Sequence, residues 1–167
     1  MRHVTKSLLQ EYKRFLLTQG ELFAPEHPDG EKKYIDISSE RYGLHLSIIE
    51  ELINTKKNVA LDVLDIGCWP GHLAMILRKY HKAMVSGVGL TTHDLFRERL
   101  KKHDIHFTRS DIEKEALGYP DKSFDLILFT EIIEHLFNPF VNRKGDWTVI
   151  AGRQHTDTEY AQLGIVA

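Results

Sequence analysis

The amino-terminal part of the chain carries apolar residues at the spacing of amphipathic helices. Apolar side chains recur every three or four positions over residues 4–18, and Gly20 follows as a stop signal. A similar stripe predicts a second helix over residues 39–54, with Ser38 or Ser39 as its N-cap. This part of the chain is therefore predicted to be helical.

From residue 59 onward the pattern changes to short apolar runs that alternate with amphipathic stretches. The predicted strands cover residues 60–66, 83–90, 105–108 and 124–129, and the predicted helices cover residues 72–81, 94–103 and 131–137. Alternation of strand and helix is typical of βαβ units, which build a parallel sheet with right-handed crossovers. The predicted fold class is therefore α/β, with a doubly wound, mostly parallel, Rossmann-like sheet.

Composition narrows the class of protein without indicating a reaction. The 167 residues are 42% hydrophobic and 28% charged, with a net charge of −2, which is typical of a globular protein. No apolar run approaches the roughly 20 residues that span a bilayer, and the first residues lack the apolar core of a signal peptide. We expect a cytoplasmic protein with no membrane partner, and the charge does not favour binding to nucleic acid.

The cysteine and histidine residues do not indicate a metal centre. Cys68 is the only cysteine in the sequence, which excludes an internal disulfide and the multi-cysteine zinc patterns. The ten histidines are scattered without the spacing of metal ligands. We therefore expect no bound metal.

A glycine-rich turn after the first predicted strand carries the most chemical information. Asp65 ends an apolar run, and Gly67 and Gly71 flank a turn that leads into a helix. Glycine allows a tight turn and a close approach, and the amino end of the helix offers N–H groups. Such a turn brings the backbone against a nucleotide-like ligand at the end of a buried parallel strand. Trp69 stands in the middle of the turn, where a small residue is usual.

Three further strand ends are predicted to meet this turn at the same edge of the sheet. About 20 residues past the glycine turn, an acid that accepts from ribose hydroxyls is expected, but the chain has Gly89 there. After the third strand, Asp111 is placed to accept a hydrogen bond from an exocyclic amine. After the fourth strand, residues 130–135 bring polar side chains to the mouth of the cleft.

Together these segments resemble the class I S-adenosylmethionine-dependent methyltransferases, particularly the small-molecule branch that includes ubiquinone-type enzymes. The resembling segments are residues 63–73, 86–90, 110–112 and 124–136. The last of them contains Phe-Asp-Leu-Ile followed by Glu-His-Leu, a combination that favours this family over nicotinamide dehydrogenases. The resemblance covers about residues 35–140.

The resemblance implies that S-adenosylmethionine is the cofactor. The residues that it assigns to cofactor binding are Asp65, Gly67, Cys68, Trp69, Gly71, Leu90, Asp111, Ile112, Thr130 and Glu131. In this assignment Asp65 and the glycine turn hold the methionine part, and Leu90 packs on the adenine. Asp111 and Ile112 meet the N6 amine and the ring, while the residues after the fourth strand lie near the sulfonium.

The resemblance implies methyl transfer to an acceptor that is expected to be a small molecule. Glu134 and His135 are candidates to orient or deprotonate this acceptor. The catalytic group is otherwise unidentified, because positioning alone can supply much of the catalysis in an in-line displacement.

Several residues also have simpler interpretations. Asp111 is suited to cap a turn, Glu131 to favour the start of a helix through its charge, and Cys68 to pack as a small buried thiol. At the level of the whole chain, Trp69, Gly89 and the short carboxyl-terminal part are also compatible with a non-catalytic or truncated module. That module binds cofactor weakly or serves as an interaction domain. A nicotinamide-binding Rossmann protein is a third interpretation.

The predicted domain organisation has three parts. Residues 1–58 form an N-terminal helical cap, residues 59–140 form the cofactor-binding core, and residues 141–167 form a short irregular tail with an edge strand at 147–151. The sheet of the family has seven strands, so this sheet is expected to be incomplete and to be truncated or completed by a partner. An apolar strand near an open edge favours association, and we therefore expect self-association through the fourth or fifth strand.

Overall fold

A computed structural model describes residues 4–23, 29–55, 60–130, 132 and 149–152 of the chain. The chain divides into two compact units, Met1–Val59 and Ala60–Ala167. The first unit is helical and the second is a parallel sheet with helices between its strands. None of the described helices combines the length and the apolar character needed to cross a membrane.

The helical unit consists of α1 (Lys6–Leu17) and α2 (Gly30–Thr55). Thr5 caps α1, because its hydroxyl oxygen accepts a hydrogen bond from the backbone N–H of Leu8 at 3.2 Å. The buried face of α1 includes Tyr12 and Leu16, and α1 packs against α2. The predicted amphipathic pattern of the first helix therefore matches the structure.

The predicted start of the second helix at residue 39 is wrong, because α2 begins nine residues earlier. Ser38 and Ser39 lie inside the helix and are buried, and the Ser39 hydroxyl donates to the carbonyl of Asp36 at 2.8 Å. The first turn of α2 is stabilised from outside the helix. There the Glu21 carboxylate accepts from the backbone N–H of Glu31 at 3.0 Å. This cap lies ten residues upstream, so local sequence patterns do not indicate it.

The described residues of the second unit form five strands and two helices. In chain order they are β1 (Asp62–Ile66), α3 (His72–Tyr80), β2 (Met84–Gly89), α4 (Asp94–Lys102), β3 (His106–Arg109), β4 (Leu126–Thr130) and β5 (Val149–Gly152). All strand pairs are parallel, and the strand order is β3-β2-β1-β4-β5. The order reverses beside β1, so the predicted α/β fold class is confirmed.

The sequence pattern places β1 to β4 within two residues of their observed bounds. β5 pairs with β4 and overlaps the predicted strand at 147–151, so β3 and β5 are the outer strands of the sheet. The predicted helix over 131–137 lies outside the described residues apart from Ile132.

Apolar side chains cover the central strands and fix the position of their ends. Leu64, Ile66, Val88 and Ile127 form a buried cluster on one face of the sheet. The loop between β3 and β4 packs against this cluster through Ile112, Leu117, Tyr119 and Phe124. Burial of this kind is typical of parallel strands, whose sequences are nearly continuous apolar runs. Because β1 to β4 run parallel, their carboxyl ends lie at the same edge of the sheet.

Candidate cofactor site at the carboxyl edge of the sheet

Asp65 is a buried acid one residue from the end of β1. Only 2% of its surface is exposed, and its register partners are Gly87 on β2 and Leu128 on β4. Within the described part of the chain, its Oδ1 atom has no hydrogen-bond partner. Loss of solvation raises the pKa of Asp65 to about 7. Buried polar atoms are normally paired, so this oxygen fits a ligand that donates a hydrogen bond or carries a positive charge.

The turn after β1 requires glycine at both ends. Gly67 and Gly71 have φ angles of 74° and 86°, in the left-handed region that favours glycine. A Cβ atom at Gly67 would lie 2.5 Å from Cδ1 of Ile132, and one at Gly71 would lie 2.8 Å from Cδ2 of Leu100. Sequence reasoning attributed Gly67 to a tight turn and Gly71 to a close approach at the start of the helix. The structure adds packing against Ile132 and Leu100.

The turn also presents the amino end of α3. Gly71 is the N-cap residue of α3 and provides no side-chain hydrogen bond, so the first N–H groups of the helix are not capped by that residue. The N–H of Gly67 donates to the carbonyl of Val88 at 2.7 Å, which ties the start of the turn to β2. The Trp69–Pro70 peptide bond within the turn is cis.

Cys68 packs inward from the turn. Its side chain is buried, and a Cβ atom at Gly87 would lie 2.5 Å from Cys68 Sγ. Burial and the nearby charge of Asp65 raise the pKa of the Cys68 thiol well above its usual value, which keeps the thiol protonated. The structure thus places Cys68 as a packed thiol, and its contact with a cofactor stays a prediction.

Trp69 belongs to a group of aromatic side chains beside the turn. Its ring centroid lies 5.1 Å from that of Phe96 and 5.5 Å from that of His93. Phe96 in turn contacts Phe107 edge to face, with centroids 5.3 Å apart, a preferred arrangement for aromatic pairs. We call Trp69, Phe96 and Phe107 the aromatic row. Trp69 is 36% exposed, so one end of the row reaches the surface.

The end of β2 is more open than the end of β1. Leu90, predicted to pack on adenine, is 60% exposed. Its carbonyl accepts a hydrogen bond from Nε of Arg109 at 3.3 Å. A Cβ atom at Gly89 would approach no described atom more closely than 3.8 Å. The structure therefore leaves room at the position where an acid was expected.

Asp111 occupies a turn after β3 and is already engaged by neighbours. Its carboxylate accepts from the ammonium group of Lys114 at 2.6 Å and from the backbone N–H of Glu113 at 3.1 Å. These two donors lower the pKa of Asp111. Ile112 packs against the core cluster described above. The turn-capping interpretation describes these contacts, while the predicted adenine contacts of Asp111 and Ile112 stay predictions.

The last predicted site segment is described only in part. Thr130 ends β4, where it is the register partner of Gly152. Ile132 packs against Gly67, as noted above, and is a neighbour of the turn that sequence reasoning missed. Three predicted site residues lie outside the described residues, namely Glu131, Glu134 and His135. In the described part of the chain, no group of three or more His, Cys, Asp or Glu side chains is placed to hold a metal ion.

Comparison with known proteins identifies a family that resembles this unit. Residues 64–143 match the family model described as a methyltransferase domain. The match covers just under half of the chain and begins one residue before Asp65. No curated protein sequence matches the chain. The chain is thus similar to a methyltransferase domain from residue 64 onward.

The chain is similar to several solved structures at low sequence identity, and the first of these shows the fold. The methyltransferase domain of bacterial CtHen1-CN aligns with a TM-score of 0.51 and 24% identity, over 68% of this chain and 65% of that chain. WbdD aligns with a TM-score of 0.47 and 20% identity, over 74% of this chain and 29% of that chain. Coclaurine N-methyltransferase bound to N-methylheliamine and SAH aligns with a TM-score of 0.48 and 18% identity, over 65% of this chain and 36% of that chain. The chain thus spans less than two thirds of the length of each of these proteins.

Proposed function

We propose that the chain binds S-adenosylmethionine and takes part in methyl transfer to an acceptor. The observation that carries the proposal is the buried carboxylate of Asp65, whose Oδ1 has no partner within the described residues. This acid lies at the glycine turn near the start of the methyltransferase match. A buried carboxylate without a partner is costly unless a cation or donor reaches it.

The residues of the turn suit the two charged groups of a bound amino acid. We assign Asp65 to the ammonium group, because an opposite charge stabilises the ionised carboxylate. We assign the carboxylate group to the N–H groups at the amino end of α3, where the helix dipole favours an anion. Gly67 and Gly71 keep this surface free of side chains.

The chemistry supplied by the bound cofactor is an electrophilic methyl group. That methyl group would go to a lone pair of the acceptor, and the electron pair of the carbon–sulfur bond would stay with sulfur. The chain contributes position and exclusion of water, which is how an enzyme accelerates an in-line displacement. We propose a small-molecule acceptor, as in the ubiquinone-type branch. We further assign Thr130 and Glu131 to the surroundings of the sulfonium, and Glu134 and His135 to the acceptor.

The first test measures binding of S-adenosylmethionine to the full chain by calorimetry. We expect saturable binding, and we expect Asp65→Asn to weaken it by about 10-fold to 100-fold because a charge-assisted pair is lost. Asp62→Asn is the matched control, since Asp62 is an exposed acid on the same strand. Failure of the folded wild-type chain to bind would overturn the proposal.

The second test measures transfer of a labelled methyl group to a panel of small acceptors. Turnover by the isolated chain would support the catalytic role. Binding without transfer to any acceptor would instead favour the non-catalytic module. The cytoplasmic location and self-association through a sheet edge also stay predictions, and sedimentation at several concentrations tests the latter.

A further inference from the structure

Glycines at the carboxyl edge of the sheet fall into two groups. Added Cβ atoms at Gly67, Gly71 and Gly87 would all come within 3.0 Å of a neighbouring side chain. At Gly89 the added atom would lie 3.8 and 3.9 Å from two ring carbons of Phe107, which is ordinary contact. The φ angle of Gly89 is also outside the left-handed region. The fold therefore requires the first three glycines but accepts a side chain at position 89.

The segment after Gly89 does not supply the acid that position 89 lacks. Residues 90–93 read Leu-Thr-Thr-His, so the next carboxylate belongs to Asp94, which already forms the first turn of α4. Acids at the end of the second strand of such sheets accept hydrogen bonds from ribose hydroxyls. This chain thus has neither the acid nor a steric reason for its absence.

The aromatic row lies beside the space at Gly89. Phe107 borders the space directly, and Phe96 connects Phe107 to the exposed ring of Trp69. The ring of His93 also packs on Trp69. The backbone N–H of His93 donates a hydrogen bond to the hydroxyl oxygen of Thr91 at 3.2 Å. The loop after β2 is therefore held against aromatic rings and presents apolar surface, including exposed Leu90.

We propose that this site holds the ribose of its cofactor by packing rather than by a carboxylate, and so does not select for the ribose hydroxyls. The proposal rests on the proposed function. Gly89 leaves the space for the sugar, and Trp69 with Phe107 supplies the apolar surface on which it packs. The cofactor class is an adenosine thioether or sulfonium whose ribose tolerates loss or substitution of a hydroxyl.

The experiment compares S-adenosylhomocysteine with its 2′-deoxyribose analogue by calorimetry. For the wild-type chain we expect the two dissociation constants to agree within about threefold, because no charge-assisted hydrogen bond is lost. In Gly89→Asp we expect S-adenosylhomocysteine to bind about tenfold more tightly, while the analogue does not gain. Gly89→Ala adds a Cβ without an acceptor and is the control for Gly89→Asp.

A second pair of variants tests the aromatic row. Trp69→Leu is expected to weaken both ligands to the same extent, because the lost contact does not involve a hydroxyl. Leu95→Ala removes another exposed apolar side chain, on α4, and is expected to change neither. Thermal unfolding of each variant checks that the chain is folded.

Two results would overturn the proposal and are distinguishable. Preference of the wild-type chain for S-adenosylhomocysteine over the analogue by tenfold or more would show that another group reads the hydroxyl, and the proposed function would stand. Failure of the folded wild-type chain to bind either ligand would overturn the proposed function as well.

Discussion

The carboxyl ends of β1 and β2 are neighbours in the sheet, but they differ in how tightly they are packed. At β1, Gly67 lies under Ile132, and the turn continues with the buried Cys68. At β2, a Cβ atom added to Gly89 would make only ordinary contact with the ring of Phe107, and Leu90 is largely exposed. Packing therefore requires a glycine at the end of β1 but does not require one at the end of β2.

Glycine therefore has different structural roles at the two strand ends. A crowded glycine is explained by packing within the fold, whereas packing within the described residues does not require a glycine at position 89. Substitution at the two ends measures the distinction directly.

The largest expected effect is that of Gly67→Ala on stability. The new Cβ would meet Ile132, and the positive φ angle disfavours alanine, so we expect a loss of about 4 kcal/mol in the free energy of unfolding. Gly89→Ala is the matched control, with an expected change below about 0.5 kcal/mol. Urea denaturation measures both, and similar losses in the two variants would contradict the comparison.

Asp65→Asn is expected to stabilise the ligand-free protein in a pH-dependent way. The folded-state pKa is raised from 3.8 to about 7, so the folded state binds more protons than the unfolded state between these values. The contribution of Asp65 is therefore fully present below pH 3.8 and is lost as the pH rises to about 7. Asparagine cannot ionise, and we expect a gain on the order of 4 kcal/mol at pH 8.

The gain from Asp65→Asn should shrink as the pH falls from 7 toward 4. Chemical denaturation across this range measures the trend, and Asp62→Asn serves as the exposed control. A gain that does not depend on pH would mean that burial of the charge is not its cause.

A smaller effect on stability is expected at Gly87, where β2 contacts the turn after β1. Gly87→Ala would place its Cβ 2.5 Å from Cys68 Sγ, and we expect a loss of about 2 kcal/mol from overpacking. In a Cys68→Ala background the sulfur atom is gone, so the same substitution should cost less than about 0.5 kcal/mol. A double-mutant cycle measured by urea denaturation gives this coupling, and strict additivity would exclude the contact as the cause.

Local patterns predicted most of the fold of the second unit. Short apolar runs placed β1 to β4, because strands buried on both faces have few polar positions. Local patterns did not predict the start of α2 correctly, because the carboxylate of Glu21 caps this helix from ten residues away.

The site was predicted as a set of residues but not as a set of contacts. Asp65 and the glycine turn were found from local sequence. The packing of Ile132 on Gly67 and of Trp69 on Phe96 joins residues that are distant in the chain, and no pattern of period 2 or 3.6 carries that information. The pairing of Asp111 with Lys114 joins residues three positions apart, and the sequence analysis did not include it.

The raised pKa of Asp65 would couple the binding of a cationic ligand to the release of a proton. Because the pKa of Asp65 is raised to about 7, part of the ligand-free molecules carry a proton on this carboxyl near neutral pH. A bound ammonium group would lower this pKa and expel the proton, so binding would release protons from Asp65 to the buffer. Calorimetry in buffers of different ionisation enthalpy counts the net number of released protons, and Asp65→Asn should reduce it.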